Sequence, residues 1–356
     1  MEYKRLGDYI REVNVRNRDL KVAKLVGLTI DKAFIPSVAN VIGTDLSNYK
    51  VIQKEQFACS LMQVSRDEKM PVAMFEEDEA IMSPAYPMFE VVDKTELLPQ
   101  YLMMWFSRSE FDREASYYAV GGVRGSLTWE DFCNMTLPVP SIDRQREIVE
   151  DYETLSHRIR LNEQMIEKLE ATAQALYRKM FVDGIDKENL PEGWRMAHLG
   201  ELYKFQYGKG NNNPDNGGTY PIYGGSGIIG GYDEYNSENA PVIGHIGVNC
   251  GAITFAYGKH FVTYNGIICN IVDTNWKYYG YLTLKQKDLQ SQSRGSSQPF
   301  ISYDMLYEQQ FTMPLNILIE TFEEHAESLF RYIYIKIQYN SKLTELQSLL
   351  LTKMGQ

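Results

Sequence analysis

Gly225-Ser226-Gly227-Ile228-Ile229-Gly230 has the GxGxxG spacing that lets backbone amides approach a dinucleotide pyrophosphate. That chemistry needs a strand before the glycines and a helix after them, and here the next residues are GYDEYNSENAP, a turn-rich segment. The run therefore reads as a glycine-rich loop or hairpin. Asp78-Glu79-Ala80 has the composition of a helicase acidic motif, yet Gly208-Lys209 and Gly258-Lys259 both lie outside a GxxxxGK[ST] frame, so no nucleoside triphosphatase is encoded. His157, His198, His245, His260 and His325 lack HxH and HExxH spacing, and Cys59, Cys133, Cys250 and Cys269 lack CxxC spacing. Neither a metal centre nor a dithiol redox site is signalled, and no residue is assigned a catalytic role. Asn213-Pro214 is not followed by the proline and aromatic with which an amino-methyltransferase grips its target amine, so Asn211 to Gly218 reads as a turn.

Without catalytic motifs, the information lies in how the chain is organised. Its 356 residues suggest two or three globular units, and 44% hydrophobic with 23% charged residues is the balance of a soluble globular protein. The charged amino terminus is unlike a secretory signal, and no apolar run reaches about 18 residues, so a reducing cytoplasm is the expected compartment. A net charge of -11 argues against nonspecific coating of nucleic acid, but not against specific binding through local basic clusters.

The strongest pattern is an internal repeat. Thr128 begins TWEDFCNMTLPVP and Ser302 begins SYDMLYEQQFTMP, matching at an offset of 174 and ending at Pro140 and Pro314. The same offset aligns Leu169 with Leu343, Leu176 with Leu350 and Met180 with Met354. Arg124-Gly125-Ser126 has a counterpart in Arg294-Gly295-Ser296, and Leu6-Gly7-Asp8 a weaker one in Leu199-Gly200-Glu201. After each proline the spacing predicts a long helix. Leu155, Ile159, Asn162, Ile166, Leu169, Ala173, Leu176 and Met180 make one apolar seam with a single polar interruption. Phe322, Leu329, Tyr332, Ile333, Tyr339, Leu343, Leu346 and Leu350 make a broader one. At about 35 residues each helix would be roughly 50 Å long and would need a partner for its stripe. Asn162 either fixes register or sits solvated at a frayed edge.

Residues 1–141 read as a small α/β domain with one helix over Pro99 to Ser116, and 142–183 as the central helix. Residues 184–314 read as a sheet-rich domain with glycine-, asparagine- and tyrosine-rich loops, and 315–356 as the C-terminal helix. Two similar modules and two long helices favour a scaffold presenting two recognition surfaces, which on DNA would read two half-sites separated by a gap. The other reading is a cytoplasmic two-domain binding protein for glycans or proteins, with the coiled coil as a dimerisation device.

TLPVPSIDRQREIV before NEQMIEKLEATAQALYRKMF, then LPEGW, YPIYGGSGIIGGYDEY, APVIGHIGVNCGAITFA and FVTYNGI, resemble the specificity subunit of type I restriction-modification enzymes over nearly the whole chain. The resemblance implies an α/β (α+β) fold: two small mixed target-recognition domains separated by two long antiparallel coiled-coil helices, with a pseudo-twofold repeat. It implies a non-catalytic subunit that reads a bipartite, asymmetric double-stranded DNA sequence and docks two modification subunits on its helices. Those partners would bring S-adenosylmethionine and flip an adenine out for methylation, and restriction subunits, where present, would bring ATP and Mg. The second half departs from the family at Met313-Pro314-Leu315-Asn316, where a second proline and a glutamine are common.

Target-recognition domains vary, so site residues come from chemistry: Arg and Lys for guanine, Asn and Gln for adenine, and basic or hydroxyl groups for phosphate. Arg16, Arg18, Lys21 and Lys24 are expected to form a phosphate-facing cluster in the first domain, with Arg124 and Ser126 near its end. In the second, Lys204, Lys209, Asn211, Asn212, Tyr223, Ser226, Arg294, Ser297 and Gln298 are the candidates. Leu329, Tyr332, Ile333 and Tyr339 are expected to face the modification subunits.

Overall fold

The structure, a computed structural model, describes residues 2–37, 43–62, 64–120, 125–210, 213–225, 227–295 and 298–355. The chain divides into two units, one of residues 1–161 with 340–356 and one of residues 162–339.

Each unit closes its own start onto its own end. In the first, strand Tyr3–Arg5 pairs antiparallel with Thr136–Pro138; in the second, Arg195–His198 pairs antiparallel with Gln310–Met313. A short helical turn comes after each opening strand, Leu6–Asp8 and Leu199–Leu202, and buries its leucine. The glycine in each turn has one physical cause. A Cβ on Gly7 would come within 2.9 Å of the Cys133 side chain, and one on Gly200 within 2.8 Å of the Tyr307 ring. Cys133 and Tyr307 are equivalent at the 174-residue offset, so the weak Leu-Gly-acid match marks the same helix-on-turn packing twice.

The first unit is built on an antiparallel sheet in the order Ile10–Glu12, Met88–Val91, Phe57–Cys59, Val72–Met74. Phe57 and Phe89 stack at 5.0 Å inside it, and Phe106 and Phe132 meet them edge-on or tilted. Asp78-Glu79-Ala80 leads into strand Glu79–Met82, which pairs with Lys50–Gln53. The single helix expected over Pro99 to Ser116 is two, Pro99–Phe106 and Ser109–Ala119. The break is local. Ser107 Oγ donates to the Met103 carbonyl at 2.9 Å, and Arg108 is extended with its guanidinium over the Trp105 ring at 4.1 Å.

The second unit holds a six-stranded sheet in the order Tyr203–Tyr207, Gly266–Ile271, Ser237–Gly244, Ile253–Val262, Tyr220–Gly224, Gly227–Tyr232. All pairings are antiparallel except that of Ile253–Val262 with Tyr220–Gly224. Gly224 pairs with Gly227 at the end of the final hairpin, and Gly227-Ile228-Ile229-Gly230 lies in its second strand with no helix after it, in line with the sequence reading. Strand Tyr203–Tyr207 is an edge, and helix Tyr303–Tyr307 covers it. Two tyrosine hydroxyls one helical turn apart accept its outward N–H groups, Tyr307 from Phe205 at 3.2 Å and Tyr303 from Tyr207.

The long helices run Ile142–Phe181 and Asn316–Lys353, 40 and 38 residues. At 1.5 Å per residue each is about 60 Å long, beyond the sequence expectation. Within each unit they pack antiparallel. In the first, Asn340 Nδ2 donates to the Ile159 carbonyl at 3.4 Å and Gln347 Nε2 to Ser156 Oγ at 2.6 Å. In the second, Tyr177 meets Phe322 edge-on at 5.9 Å and Lys336 Nζ donates to Asn162 Oδ1 at 3.0 Å. Asn162 is thus engaged at the helix pair, as a register residue would be. The buried stripe of the second helix is Ile319, Phe322, Ala326, Phe330 and Ile333, so Phe330 occupies the seam that the sequence pattern assigns to Leu329. Among the described residues no helix is long and apolar enough to cross a membrane.

Candidate nucleic-acid interface

In the second unit several strands end at the same edge of the sheet, and their loops are tied to one another by backbone hydrogen bonds. The N–H of Lys209 donates to the Val262 carbonyl, that of Tyr264 to Gly210, that of His245 to Asn265, and that of Ile301 to His245. Arg294 and Phe300 exchange two backbone bonds of 3.0 and 2.8 Å, closing a small loop that Gly247 joins by donating to Pro299. The alternation in Tyr203-Lys204-Phe205-Gln206-Tyr207 carries an aromatic to this edge.

Four rings meet there. Tyr207 stacks on Tyr303 with centroids 3.9 Å apart, and both Tyr207 and Tyr264 contact His245, at 4.5 and 5.3 Å. His245 is buried, with Nδ1 2.6 Å from the Ile301 carbonyl, to which it must donate. Burial holds its pKa below the usual histidine value, so the ring is a neutral prop rather than a cation. Burial also raises the pKa values of Tyr207 and Tyr303, keeping their hydroxyls protonated. The loops joined at this edge also carry exposed polar groups. Lys209, Arg294 and Gln298 are exposed, and the cations of Lys209 and Arg294 form no ion pair among the described residues. An aromatic cluster whose adjoining loops carry exposed cations and a carboxamide suits phosphate neutralisation and base-edge hydrogen bonding.

The structure carries Lys209, Arg294 and Gln298 on loops of the same edge and leaves Lys204 apart. Lys204 is exposed on the edge strand, three residues before Tyr207, about 10 Å along it. Asn211, Asn212, Ser226, Ser297 and Arg124 lie outside the described residues. Tyr223 is a correction. A bulge between Ile222 and Tyr223 breaks the alternation of its strand and turns the ring inward, where it packs with Val242, Ala256 and Val262 and edge-on to His260 at 5.3 Å. Tyr207, His245, Tyr264 and Tyr303 are not singled out by the sequence as a site. The alternation of YKFQY and the strings GHIG and VTYNG are the available signals, but nothing local in them shows that the four converge.

In the first unit Arg16 and Arg18 converge on one turn, Arg16 donating to the Asn48 carbonyl at 2.6 Å and Arg18 to Asn48 Oδ1 at 3.2 Å. Lys21 and Lys24 do not join them; their ammonium groups pair with Asp19 and Glu77. Ser126 is half-buried beside Gly125, whose left-handed backbone (φ +70) is pressed against Ser65. Of the four residues assigned to partner subunits, Tyr332 and Tyr339 are exposed. Ile333 is a correction, fully buried because the helix's own seam passes through it, and Leu329 is half-buried against the same core. No group of three or more His, Cys, Asp or Glu that could hold a metal occurs among the described residues.

Residues 191–347, the stretch holding this surface, match the type I restriction modification DNA specificity domain. No curated protein matches the chain in sequence. Among solved structures, the S subunit of a type I restriction-modification system from M. genitalium is 17% identical, covers 100% of this chain and 96% of its own, and superposes with a TM-score of 0.58. The HsdS subunit from Thermoanaerobacter tengcongensis is 16% identical over 99% of this chain and 96% of its own, at a TM-score of 0.38. A chain from a study of complex assembly and conformational transition of the type I R-M system is 16% identical over 100% and 97%, at 0.45. The first of these establishes a shared fold over the whole length.

Proposed function

From a chain that carries a type I restriction modification DNA specificity domain in residues 191–347 and the fold of a type I S subunit throughout, we propose the DNA sequence-recognition subunit of such a complex. It is a non-catalytic component. It reads a bipartite, asymmetric site, with one half recognised by residues 1–141 and the other by 184–314. Helical segments 142–183 and 315–356 dock two modification subunits that bind S-adenosylmethionine and methylate adenine. Restriction subunits using ATP and Mg join where the system retains them, and the assembly works in the cytoplasm.

The observation that carries this reading is the repeat of one construction: an opening strand, a leucine-glycine turn, a sheet, a short helix and closing strand, then a long helix. Two such halves in one chain supply two different DNA readers, which an asymmetric bipartite site requires. The unpaired cations at the loop edge of the second sheet support the same reading, because an acidic protein of net charge -11 needs local positive groups to meet phosphate. Tyr332 and Tyr339, exposed on the second long helix, are the residues proposed to touch a modification subunit.

The test is modification-sensitive long-read sequencing of host DNA with and without the gene, the modification subunit being expressed in both. Loss of adenine methylation at one split motif is the expected result. Methylation that does not change between the two strains overturns the proposal.

A further inference from the structure

The loop edge of the second unit also presents a turn that lies outside the aromatic floor and its cations. Gly247-Val248-Asn249-Cys250-Gly251 is held from both sides. The Gly247 N–H donates to Pro299, the Cys250 N–H to Gly247, and the Gly251 N–H to Gly244, each at 2.9 Å. Cys250 is buried and its Sγ reaches the His245 carbonyl at 3.3 Å, anchoring the turn to the aromatic floor. Gly247 and Gly251 both have left-handed backbones, φ +93 and +85, and a Cβ on Gly251 would strike the Gln290 backbone at 2.6 Å. The turn is therefore fixed.

What it presents is two side chains that folding does not use. Val248 is 89% exposed, the most exposed large apolar residue among the described residues. Asn249 is exposed, and neither atom of its carboxamide has a partner among those residues. An isolated exposed valine needs no explanation on a mobile loop. Here it stands on a pinned turn beside an unpaired amide, next to the loop that carries Arg294. A carboxamide can bond adenine N6 and N7 together, and an aliphatic group packs on the thymine C5 methyl. Adjacent residues are about 3.8 Å apart and stacked bases about 3.4 Å, so neighbouring side chains can meet neighbouring base pairs.

We infer that Val248 and Asn249 are base readers of the half-site bound by the second unit, Asn249 specifying an adenine and Val248 the thymine methyl of an adjacent or the same A·T pair. This rests on the DNA-recognition reading above and names the residues that give one half of it its sequence. Arg294 and Lys209 then supply phosphate contacts, which set register without reading bases.

The experiment uses the assembled methyltransferase in its host, with the chain as wild type, Asn249→Ala, Asn249→Asp or Val248→Ser, and maps the methylated motif genome-wide. Asn249→Ala is expected to make one A·T position degenerate, with discrimination there falling about tenfold or more. Asn249→Asp should move that position toward cytosine, because a carboxylate only accepts and cytosine N4 donates. Val248→Ser should relax a thymine in the same half. The other half-site, unchanged in all three variants, reports that the subunit is folded and assembled. A wild type that methylates a split motif, with variants that keep both halves intact or lose both together, overturns the inference, as does a wild-type motif with no A·T pair in one half. A wild type that produces no split motif at all fails the recognition reading instead.

Discussion

Tyr207 and Tyr303 stack with ring centroids 3.9 Å apart and planes 20° from parallel, and the Tyr303 hydroxyl also accepts the Tyr207 backbone N–H. One side chain therefore does two separable things: it supports the aromatic floor of the loop edge and it satisfies an exposed strand edge. Tyr303→Phe removes only the acceptor and should cost about 1 kcal/mol in thermal or denaturant unfolding. Tyr303→Ala removes the ring as well and should cost about 2 to 4 kcal/mol, with weaker binding of a duplex containing the split site. Equal losses from the two variants would mean that the stack contributes nothing.

Arg294 is exposed on a loop closed by its own backbone bonds to Phe300, and its guanidinium has no acidic partner among the described residues. Arg294→Ala should weaken binding to one half-site only and leave unfolding unchanged within about 0.5 kcal/mol, as for a surface residue. If Arg294 meets a phosphate, the slope of log affinity against log salt should fall by about one, uniformly over sequences. Equal loss at both half-sites, measured with duplexes altered in one half at a time, would contradict this placement.

The helices and the closing hairpin were legible in the sequence because their signals are local. Apolar spacing marks a helix whatever surrounds it, and a glycine run with no helix after it marks a turn. Which flank of a broad stripe faces inward is decided by the sheet packed against it. That is why Ile333 belongs to the core and Phe330 replaces Leu329 at the seam. Tyr223 faces inward, against the sequence expectation, because a bulge resets the alternation, and a bulge leaves little trace in residue type. The aromatic floor was invisible for another reason: Tyr207, His245, Tyr264 and Tyr303 are brought together by four separate strand and helix ends.

Gln145 shows how the two halves solve one problem differently. It is fully buried, accepts the Leu98 N–H at 2.9 Å at the start of helix Pro99–Phe106, and donates to the Glu96 and Pro140 carbonyls at 2.7 and 2.9 Å. Its repeat equivalent is Ile319, which cannot do this, and the task passes to Glu323 one turn further on. Glu323 accepts the N–H groups of Tyr278 and Tyr279 at 2.8 and 2.6 Å, at the start of helix Lys277–Lys285. Gln145→Ala leaves the half-buried Leu98 N–H and two carbonyls without that partner and should cost about 2 to 4 kcal/mol; a cost under about 0.5 kcal/mol would show that water replaces it.

Replacing a glutamine by a carboxylate makes the second cap depend on pH. Burial raises the Glu323 pKa from 4.5 to about 7, outweighing the two N–H donors that favour the charged form. Between these values the folded protein holds more protons than the unfolded chain, so the contribution of Glu323 to stability falls as pH rises from about 4.5 to 7 and is level outside that window. Glu323→Gln keeps an acceptor for both N–H groups without a charge to desolvate. It should unfold at higher denaturant than wild type at pH 8, by an amount on the order of 1 kcal/mol after allowing for partial solvation, and the gap should close toward pH 4.5. A gap that widens on acidification would show that the carboxylate is stabilising as an ion.

The contact of Lys336 Nζ with Asn162 Oδ1, at 3.0 Å, is a polar interruption in the apolar packing of the long helices within the second unit. Both side chains are half-buried, so removing one partner costs more than removing both. Asn162→Leu should destabilise the second unit by about 1 kcal/mol, because the ammonium loses an acceptor that leucine cannot replace. Lys336→Leu together with Asn162→Leu should recover that loss and add apolar contact, giving a coupling of about 1 kcal/mol in a double-mutant cycle read by thermal unfolding. The stabilised double variant should be the less well-defined protein, since two leucines fit more than one helix register. Broadened or doubled side-chain resonances along the pair would report that slippage. Strict additivity of the two substitutions, with a single sharp spectrum, would show that Asn162 and Lys336 act independently and that register is set elsewhere along the helices.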